Sequence, residues 1–275
     1  MGTLYICGTP IGNLEDVSIR LLKTLRSVDL IACEDTRHTI KLLNKYKIKK
    51  RLLSYHEHSD RSREDYIVEQ LLAGQNIALV SDAGMPGISD PGERLVQKVI
   101  AHGLDLEVIP GPSAAISALA VSGLDASAFI FAGFLPRQSS RRIELLESNK
   151  EESRTVIYYE APHRLIKTLG DLQKTLDRER PVVLVRELTK KHQEIIRGDI
   201  QEIINAFQDR EPRGEICLLI GGKRAEPGAV TVEQLVEEID ELIEQGIDKK
   251  EAFKMKARQY KLQKSLVYKY YTNPD

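Results

Sequence analysis

The chain is poor in the signals that would place it in a membrane or in a disulfide-stapled class. Its 275 residues hold three cysteines, Cys7, Cys33 and Cys217, an odd count at spacings that match neither a disulfide framework nor a metal site. No stretch approaches the roughly 20 apolar residues that span a bilayer. Leu4-Tyr5-Ile6-Cys7 opens without a basic region or a cleavage site. A cytoplasmic protein with no membrane partner and no metal is therefore expected. An excess of one charge is also missing: 40 Lys and Arg against 41 Asp and Glu leave a net charge of −1, so bulk charge announces no nucleic-acid partner. The first glycine loop lacks the G-x-G-x-x-G spacing, and G-x-x-x-x-G-K-[ST] is absent, which disfavours a dinucleotide or a nucleoside triphosphate. There is no fixed-period repeat and no low-complexity tract.

What is present reads as α/β. Apolar residues at 41% and charged residues at 29% suit a globular core. A chain of this length divides naturally into two domains with a small third. Short apolar runs predict strands at 4–7, 30–33, 52–55, 77–81 and 106–109. Helical patterns fall between them at 17–28, 37–46, 63–72 and 93–102, the third capped by Asp60 or Ser62. Such alternation implies βαβ units and a mostly parallel sheet. After a helix at 114–121 the order changes. Strands are predicted at 128–131, 155–159, 182–185, 194–197 and 216–220, helices at 141–147, 164–176 and 201–207, and a hairpin loop at 187–192. The expected division is an N-terminal α/β domain over 1–122, a mixed α/β domain over 123–224 and a helical tail over 225–275. Gly221-Gly222 to Pro227-Gly228 serves as the linker.

Three loops follow strands and are built from small residues. They are 8–13, 110–114 and Ser81-Asp82-Ala83-Gly84-Met85-Pro86-Gly87-Ile88-Ser89-Asp90-Pro91-Gly92. Backbone of this kind can lie close to a ligand, and the carboxyl edge of a sheet is where ligands bind. The loops offer carbonyls, few charges and Asp82, which suits a ligand with a ribose, an amine and a positive centre better than one with phosphates. Ordinary strand-to-helix punctuation is the alternative for any one loop.

The motifs also carry a resemblance. Gly8-Thr9-Pro10-Ile11-Gly12-Asn13-Leu14, Glu34-Asp35-Thr36-Arg37, the 81–92 loop and Pro110-Gly111-Pro112-Ser113-Ala114 occur in order. Gly133-Phe134-Leu135-Pro136-Arg137, Tyr159-Glu160-Ala161-Pro162-His163-Arg164, Arg186-Glu187-Leu188-Thr189-Lys190 and Arg213-Gly214-Glu215 follow. Over essentially its whole length the chain resembles the tetrapyrrole methylase superfamily, and within it the branch that methylates a cytidine 2′-hydroxyl in small-subunit ribosomal RNA. The resemblance implies two unlike α/β domains with S-adenosylmethionine between them. It further implies a homodimer and an RNA substrate, with the assembled 30S particle as partner. Pro10, Ser81, Asp82, Ala83, Gly84, Ile88, Ser113, Ala114 and Tyr159 are the cofactor residues it implies. The rivals are a tetrapyrrole or other small-molecule substrate, and a non-catalytic ribosome-assembly factor that keeps the fold.

Methyl transfer to an alcohol needs an acceptor for the hydroxyl proton. Glu34, Asp35 and Arg37 at a strand end are candidates for base and phosphate clamp, with capping of the next helix as the alternative for Asp35. Glu160 is a fourth catalytic candidate; an internal Arg–Glu pair is its alternative, as for Arg186-Glu187. For RNA phosphates the candidates are Lys41, Lys45, Lys49, Lys50 and Arg51, in a segment without acids, together with Arg137, Arg141 and Arg142. The tail from Thr231 reads as three short helices like a helix-turn-helix, with Ala252, Met255, Leu262, Leu266 and Val267 as its core. It suits either RNA docking or packing on protein.

Overall fold

Two apolar tetrapeptides, Leu30-Ile31-Ala32-Cys33 and Ile77-Ala78-Leu79-Val80, have no polar side chain to offer water, so each must be covered on both faces. The computed structural model describes residues 1–56, 61–223, 230–260 and 262–272. In it these runs are β2 (Leu30–Cys33) and β4 (Ile77–Val80). β1 (Thr3–Cys7), β3 (Arg51–Ser54) and β5 (Asp105–Ile109) complete an all-parallel sheet of order β3-β2-β4-β1-β5. Helices α1 (Ile19–Ser27), α2 (Thr36–Lys45), α3 (Arg61–Leu72) and α4 (Glu93–Ala101) are the crossovers. Alternate side chains serve opposite faces. Leu30 and Ala32 join Leu71, Leu95 and Val99, while Ile31 and Cys33 join Leu21, Leu25 and Leu42.

Small shifts from the predicted ends have local causes. α1 begins at Ile19 because Ser18 caps it, its side chain accepting from Leu21 N–H at 3.0 Å. α3 begins at Arg61, so Ser62 lies inside the helix instead of capping it; Asp60 is outside the described residues.

The strand order has a consequence for ligands. From β1 the chain crosses to β2, and from the adjacent β4 it crosses the other way to β5. Neighbouring strands whose connections leave in opposite directions open a crevice beyond their carboxyl ends. The loops there are 8–13 and 81–92.

The second sheet contains β6 (Phe129–Phe134), β7 (Thr155–Glu160), β8 (Val182–Arg186), β9 (Glu194–Gly198) and β10 (Ile216–Ile220), in the order β6-β7-β10-β8-β9. Only β6–β7 is parallel. α6 (Ser139–Ser148), α7 (Leu165–Thr175) and α8 (Ile200–Asn205) lie in this half. Tyr158, Leu184 and Leu218 pack with Leu146, Leu169 and Ile203 from those helices. The other face is covered by α5 (Ala114–Ser122), whose Ala115, Ala118 and Leu119 meet Ile157, Val183 and Leu219. Gly123, at φ 79°, ends α5 in the left-handed conformation. Both sheets belong to one compact unit, Met1–Gly222.

The second unit, Lys223–Asp275, contains α9 (Val232–Glu244), α10 (Lys249–Gln259) and α11 (Lys264–Thr272). Its centre is Leu235, Ile239, Ala252, Phe253, Ala257 and Val267. The predicted core member Met255 is 42% exposed, and Phe253 takes the central place instead. Glu238 of α9 pairs with Lys256 of α10 at 2.7 Å and accepts from the Tyr260 hydroxyl. Lys261 and the linker residues Pro227 and Gly228 fall outside the described residues. Among the described residues no helix is long and apolar enough to cross a membrane.

Candidate active site

The three glycine-bearing loops are tied to one another by backbone. Thr9 N–H donates to Gly84 O at 2.8 Å, Gly84 N–H returns a bond to Thr9 O at 3.1 Å, and the Thr9 hydroxyl donates to Ser81 O at 3.2 Å. Gly8 N–H donates to Ile109 O at 3.0 Å, which brings in the third loop. Gly8 and Gly111 touch so closely that a Cβ on Gly111 would stand 2.6–2.7 Å from the Gly8 backbone. The second sheet reaches over through the β8–β9 hairpin. Asn13 N–H donates to Thr189 Oγ1 at 3.1 Å, and a Cβ on Gly12 would meet Lys190 Cγ at 2.6 Å. Thr189 and Glu187 hold φ of 65° and 52° there, a conformation unusual for residues with a side chain.

These contacts enclose a cavity of about 460 Å³, within the usual size range of ligand sites. Its apolar wall includes Ile11, Met85, Ile88, Phe134, Val185 and Leu188. Five acidic residues line it, Glu34, Asp82, Asp90, Glu160 and Glu215, with no Lys, Arg or His among the described lining residues; the Glu160 carboxylate is turned away onto Arg164, and Glu215 pairs with Lys190 at 3.0 Å. Such a lining repels phosphate and favours an apolar ligand carrying positive charge.

Of the residues expected at a cofactor, Asp82, Ala83, Gly84, Ile88, Ser113, Ala114 and Tyr159 line this cavity; Pro10 and Ser81 do not. Ser81 is buried beneath the loop, its hydroxyl donating to Ala83 O at 3.2 Å. Ser113 caps α5. Tyr159 is held edge-on by Phe131 and Phe134, with ring centres at 5.0 and 5.5 Å, and burial pushes its hydroxyl up to about 12, so it stays a neutral hydrogen-bonding group.

The expected catalytic residues separate. Glu34 lines the cavity. Asp35 and Arg37 do not, because they are occupied with each other: Asp35 accepts from Arg37 N–H at 2.8 Å, caps α2 and pairs with the guanidinium at 2.6 Å. Hydrogen bonds from Arg37 pull the Asp35 carboxyl down to about 2, which makes it a poor proton acceptor. Asp35→Ala should therefore lower thermal stability slightly by removing a helix cap and leave methyl transfer within about threefold of wild type. A hundredfold rate loss, measured by single-turnover transfer, would restore Asp35 as the base.

Glu160 is also committed, although it lines the cavity. Its carboxylate accepts from Ala161 N–H at 2.7 Å and the Thr168 hydroxyl at 2.6 Å, and it pairs with Arg164. Arg186 and Glu187 do not pair with each other: Arg186 Nε meets Glu194 at 3.1 Å, and Glu187 meets Lys190 at 2.8 Å.

Among the RNA candidates, Lys41, Lys45, Lys49, Arg51, Arg137 and Arg141 are exposed. Lys45 pairs with Glu15 at 3.2 Å, Lys50 Nζ donates to Val28 O at 2.5 Å, and Arg51 donates to the Tyr66 hydroxyl at 3.1 Å. Arg142 is buried on Asp171 and cannot face RNA. Asp35, His38 and Asp82 bring three possible metal-ligand atoms within 4.8 Å of one another. Those atoms already bond to protein: Asp82 accepts from Asp35 N–H and meets His38 Nδ1, each at 3.0 Å, and Asp35 holds Arg37.

The family profile of the Tetrapyrrole (Corrin/Porphyrin) Methylases matches residues 3–204. The chain belongs to that family. It is 52% identical over 223 residues to Ribosomal RNA small subunit methyltransferase I of Thermotoga maritima, covering 81% of this chain and 100% of the relative. The Synechocystis protein of the same name is 46% identical over 269 residues, with 98% and 96% covered. Among solved structures, uroporphyrin-III C-methyl transferase from Thermus thermophilus complexed with S-adenyl homocysteine aligns at a TM-score of 0.56 and 16% identity, covering 80% of this chain and 97% of that one. At that identity the likeness concerns the fold.

As a methylase of this family the chain uses S-adenosylmethionine, and the lining fits that group. Apolar walls suit an adenine ring, and the carboxylates suit a sulfonium and an ammonium. Asp90, Met85, Phe134, Leu188 and Ile216 line the methylase cavity without having been expected there. Asp90 was within reach as the second acid of the 81–92 loop. Leu188 lies in the 186–190 motif and Ile216 in a predicted strand, but neither carries a mark in the sequence that it faces the first half.

Proposed function

We propose that this methylase transfers a methyl group from S-adenosylmethionine to the ribose 2′-hydroxyl of a cytidine in small-subunit ribosomal RNA, in the cytoplasm and on the assembled 30S particle. The observation that carries the reading is a cavity lined by acidic residues and, among the described residues, by no basic one, at the switch point of a parallel sheet. Relatives named for the small-subunit ribosomal RNA, one of them 52% identical, support the acceptor. The bound cofactor supplies an activated methyl, so the protein's part is to align donor and hydroxyl and to take a proton. Residues 1–122 and 123–224 flank the cofactor in this reading, and 225–275 form the tail. Lys41, Lys49, Arg137 and Arg141 are exposed basic residues for RNA phosphate, as are Lys45 and Arg51, which also hold Glu15 and Tyr66.

A homodimer belongs to the same proposal. Leu106 and Val108 on the edge strand β5, Ile116 and Val121 on α5 and Phe129 on β6 are each 38–52% exposed. Apolar groups in such numbers along one chain segment favour burial against a partner. Val108→Asp should convert a dimer into a monomer in light scattering; a wild-type monomer at micromolar concentration ends the dimer proposal.

The function is tested with tritium-labelled S-adenosylmethionine and three acceptors: 30S subunits lacking the modification, protein-free ribosomal RNA and a tetrapyrrole precursor. Label at a cytidine ribose of the 30S RNA is expected. Label only in the tetrapyrrole would favour the small-molecule rival, and label in none would favour a non-catalytic role.

A further inference from the structure

A second cavity of about 490 Å³ opens beside the first and shares Glu34, Ser89, Asp90 and Phe134 with it. Its character differs: Tyr55, His56, Glu64, Glu93 and Arg94 make it rich in hydrogen-bonding groups, with Arg94 paired to Glu64 at 3.1 Å. The shared wall is unusual in three ways. Phe134 leaves 56% of its surface exposed although its ring is fixed against Tyr159 at 5.5 Å. Ser89 holds φ 59°, a strained backbone of the kind that gathers at working sites. Asp90 opens onto both spaces.

We infer that the second cavity receives the acceptor nucleotide, with its base on Phe134 and its ribose at Asp90, whose carboxylate takes the proton of the 2′-hydroxyl. The inference rests on the methyl-transfer reading above. An exposed, immobilised aromatic ring is what a splayed-out base stacks on. In the step, the ribose O–H bond breaks toward an Asp90 carboxylate oxygen as the oxygen bonds to the methyl carbon. The methyl–sulfur electron pair returns to sulfur, leaving a neutral thioether and a neutral Asp90, which then loses its proton to water.

The electrostatics agree with this role. Burial first, then the neighbouring Glu34 charge, pushes the Asp90 carboxyl up to about 6, with Asp82 adding and a Ser81 hydrogen bond opposing. Tyr159 faces it from β7, and His56, Glu64, Glu93 and Arg94 line the space on its other side. An acid raised in this way is protonated below about 6 and ionised above it. The proton-accepting form is therefore lost as pH falls through that value, and kcat should fall with it.

The test uses the full-length protein, 30S subunits lacking the modification, and calorimetry with S-adenosylhomocysteine. Asp90→Asn should keep S-adenosylhomocysteine affinity within about threefold, lose at least about 100-fold in kcat, and lose the acid limb near pH 6 from the residual rate. Asp90→Glu should recover part of the rate. His56→Ala should raise KM for the subunits about tenfold with S-adenosylhomocysteine affinity unchanged. Near-normal kcat in Asp90→Asn, or an unaltered acid limb, overturns the role of the carboxylate. Lost S-adenosylhomocysteine affinity overturns it too, by making Asp90 a cofactor ligand. An unchanged KM in His56→Ala removes the acceptor from this cavity. A wild-type protein that methylates no subunits sinks the function and this inference together, whereas an active wild type beside an active Asp90→Asn sinks this inference alone.

Discussion

Glu160→Ala should lower the melting temperature by on the order of 10 °C while the folded fraction still binds S-adenosylhomocysteine. The Glu160 side chain has no exposed surface, and its partner Arg164 keeps only 14% of its own. The carboxylate also accepts from Ala161 N–H and the Thr168 hydroxyl, so β7, the turn after it and α7 meet on one anion. Its removal leaves a largely buried guanidinium without its counter-charge, which costs about 3–5 kcal/mol. At about 2–4 °C per kcal/mol for a chain of this size, calorimetric melting resolves the effect easily. Glu160→Gln keeps the shape and some of the hydrogen bonds, so its loss should be smaller. An unchanged melting point joined to a hundredfold fall in kcat would return Glu160 to the catalytic role that its sequence context allowed.

Gly111→Ala is expected to have the other large effect, this time on both folding and ligand affinity. The new Cβ would lie 2.6–2.7 Å from the Gly8 carbonyl carbon, Cα and oxygen, which are backbone atoms that no rotamer change can move aside. Gly8 is itself fastened by its N–H to Ile109 O, and Thr9 is fastened to Gly84. The strain therefore spreads through all three loops at the cofactor cavity. Overpacking of this kind costs about 1–3 kcal/mol, and displacement of binding groups by a fraction of an ångström should weaken S-adenosylhomocysteine binding by more than about tenfold. Gly170→Ala in α7 is the control, since nothing lies within 4 Å of its Cβ position. That change should be neutral or raise stability by up to about 1 kcal/mol. Equal behaviour of the two variants would show that the contact between Gly8 and Gly111 is unimportant.

The parts of the site that could be read from sequence are those carried by one continuous loop. Asp82, Ala83, Gly84 and Ile88 were identifiable because glycine and proline mark an irregular loop after a buried strand, and all four line the cavity. Asp35 was ambiguous because a carboxylate at a helix start looks the same whether it caps or catalyses, and only the position of the Arg37 guanidinium distinguishes the two. Lys50 and Arg142 looked like phosphate contacts because their charge is visible in sequence while their partners, Val28 O and Asp171, are distant along the chain. Met255 reads as core because α10 has several apolar positions, and which of them faces inward depends on where α9 and α11 pack.

Sequence by itself determined the secondary structure, the alternation of the first half, the mixed second half and the family, because apolar period, turn chemistry and ordered motifs are local quantities. Only the tertiary structure decided that β1 and β4 stand side by side, that α5 lies on the second sheet, and that Asp90 and Phe134 separate two adjoining cavities. Those facts depend on strand order and on contacts between residues far apart in the chain, and the local pattern of apolar and polar residues is indifferent to both.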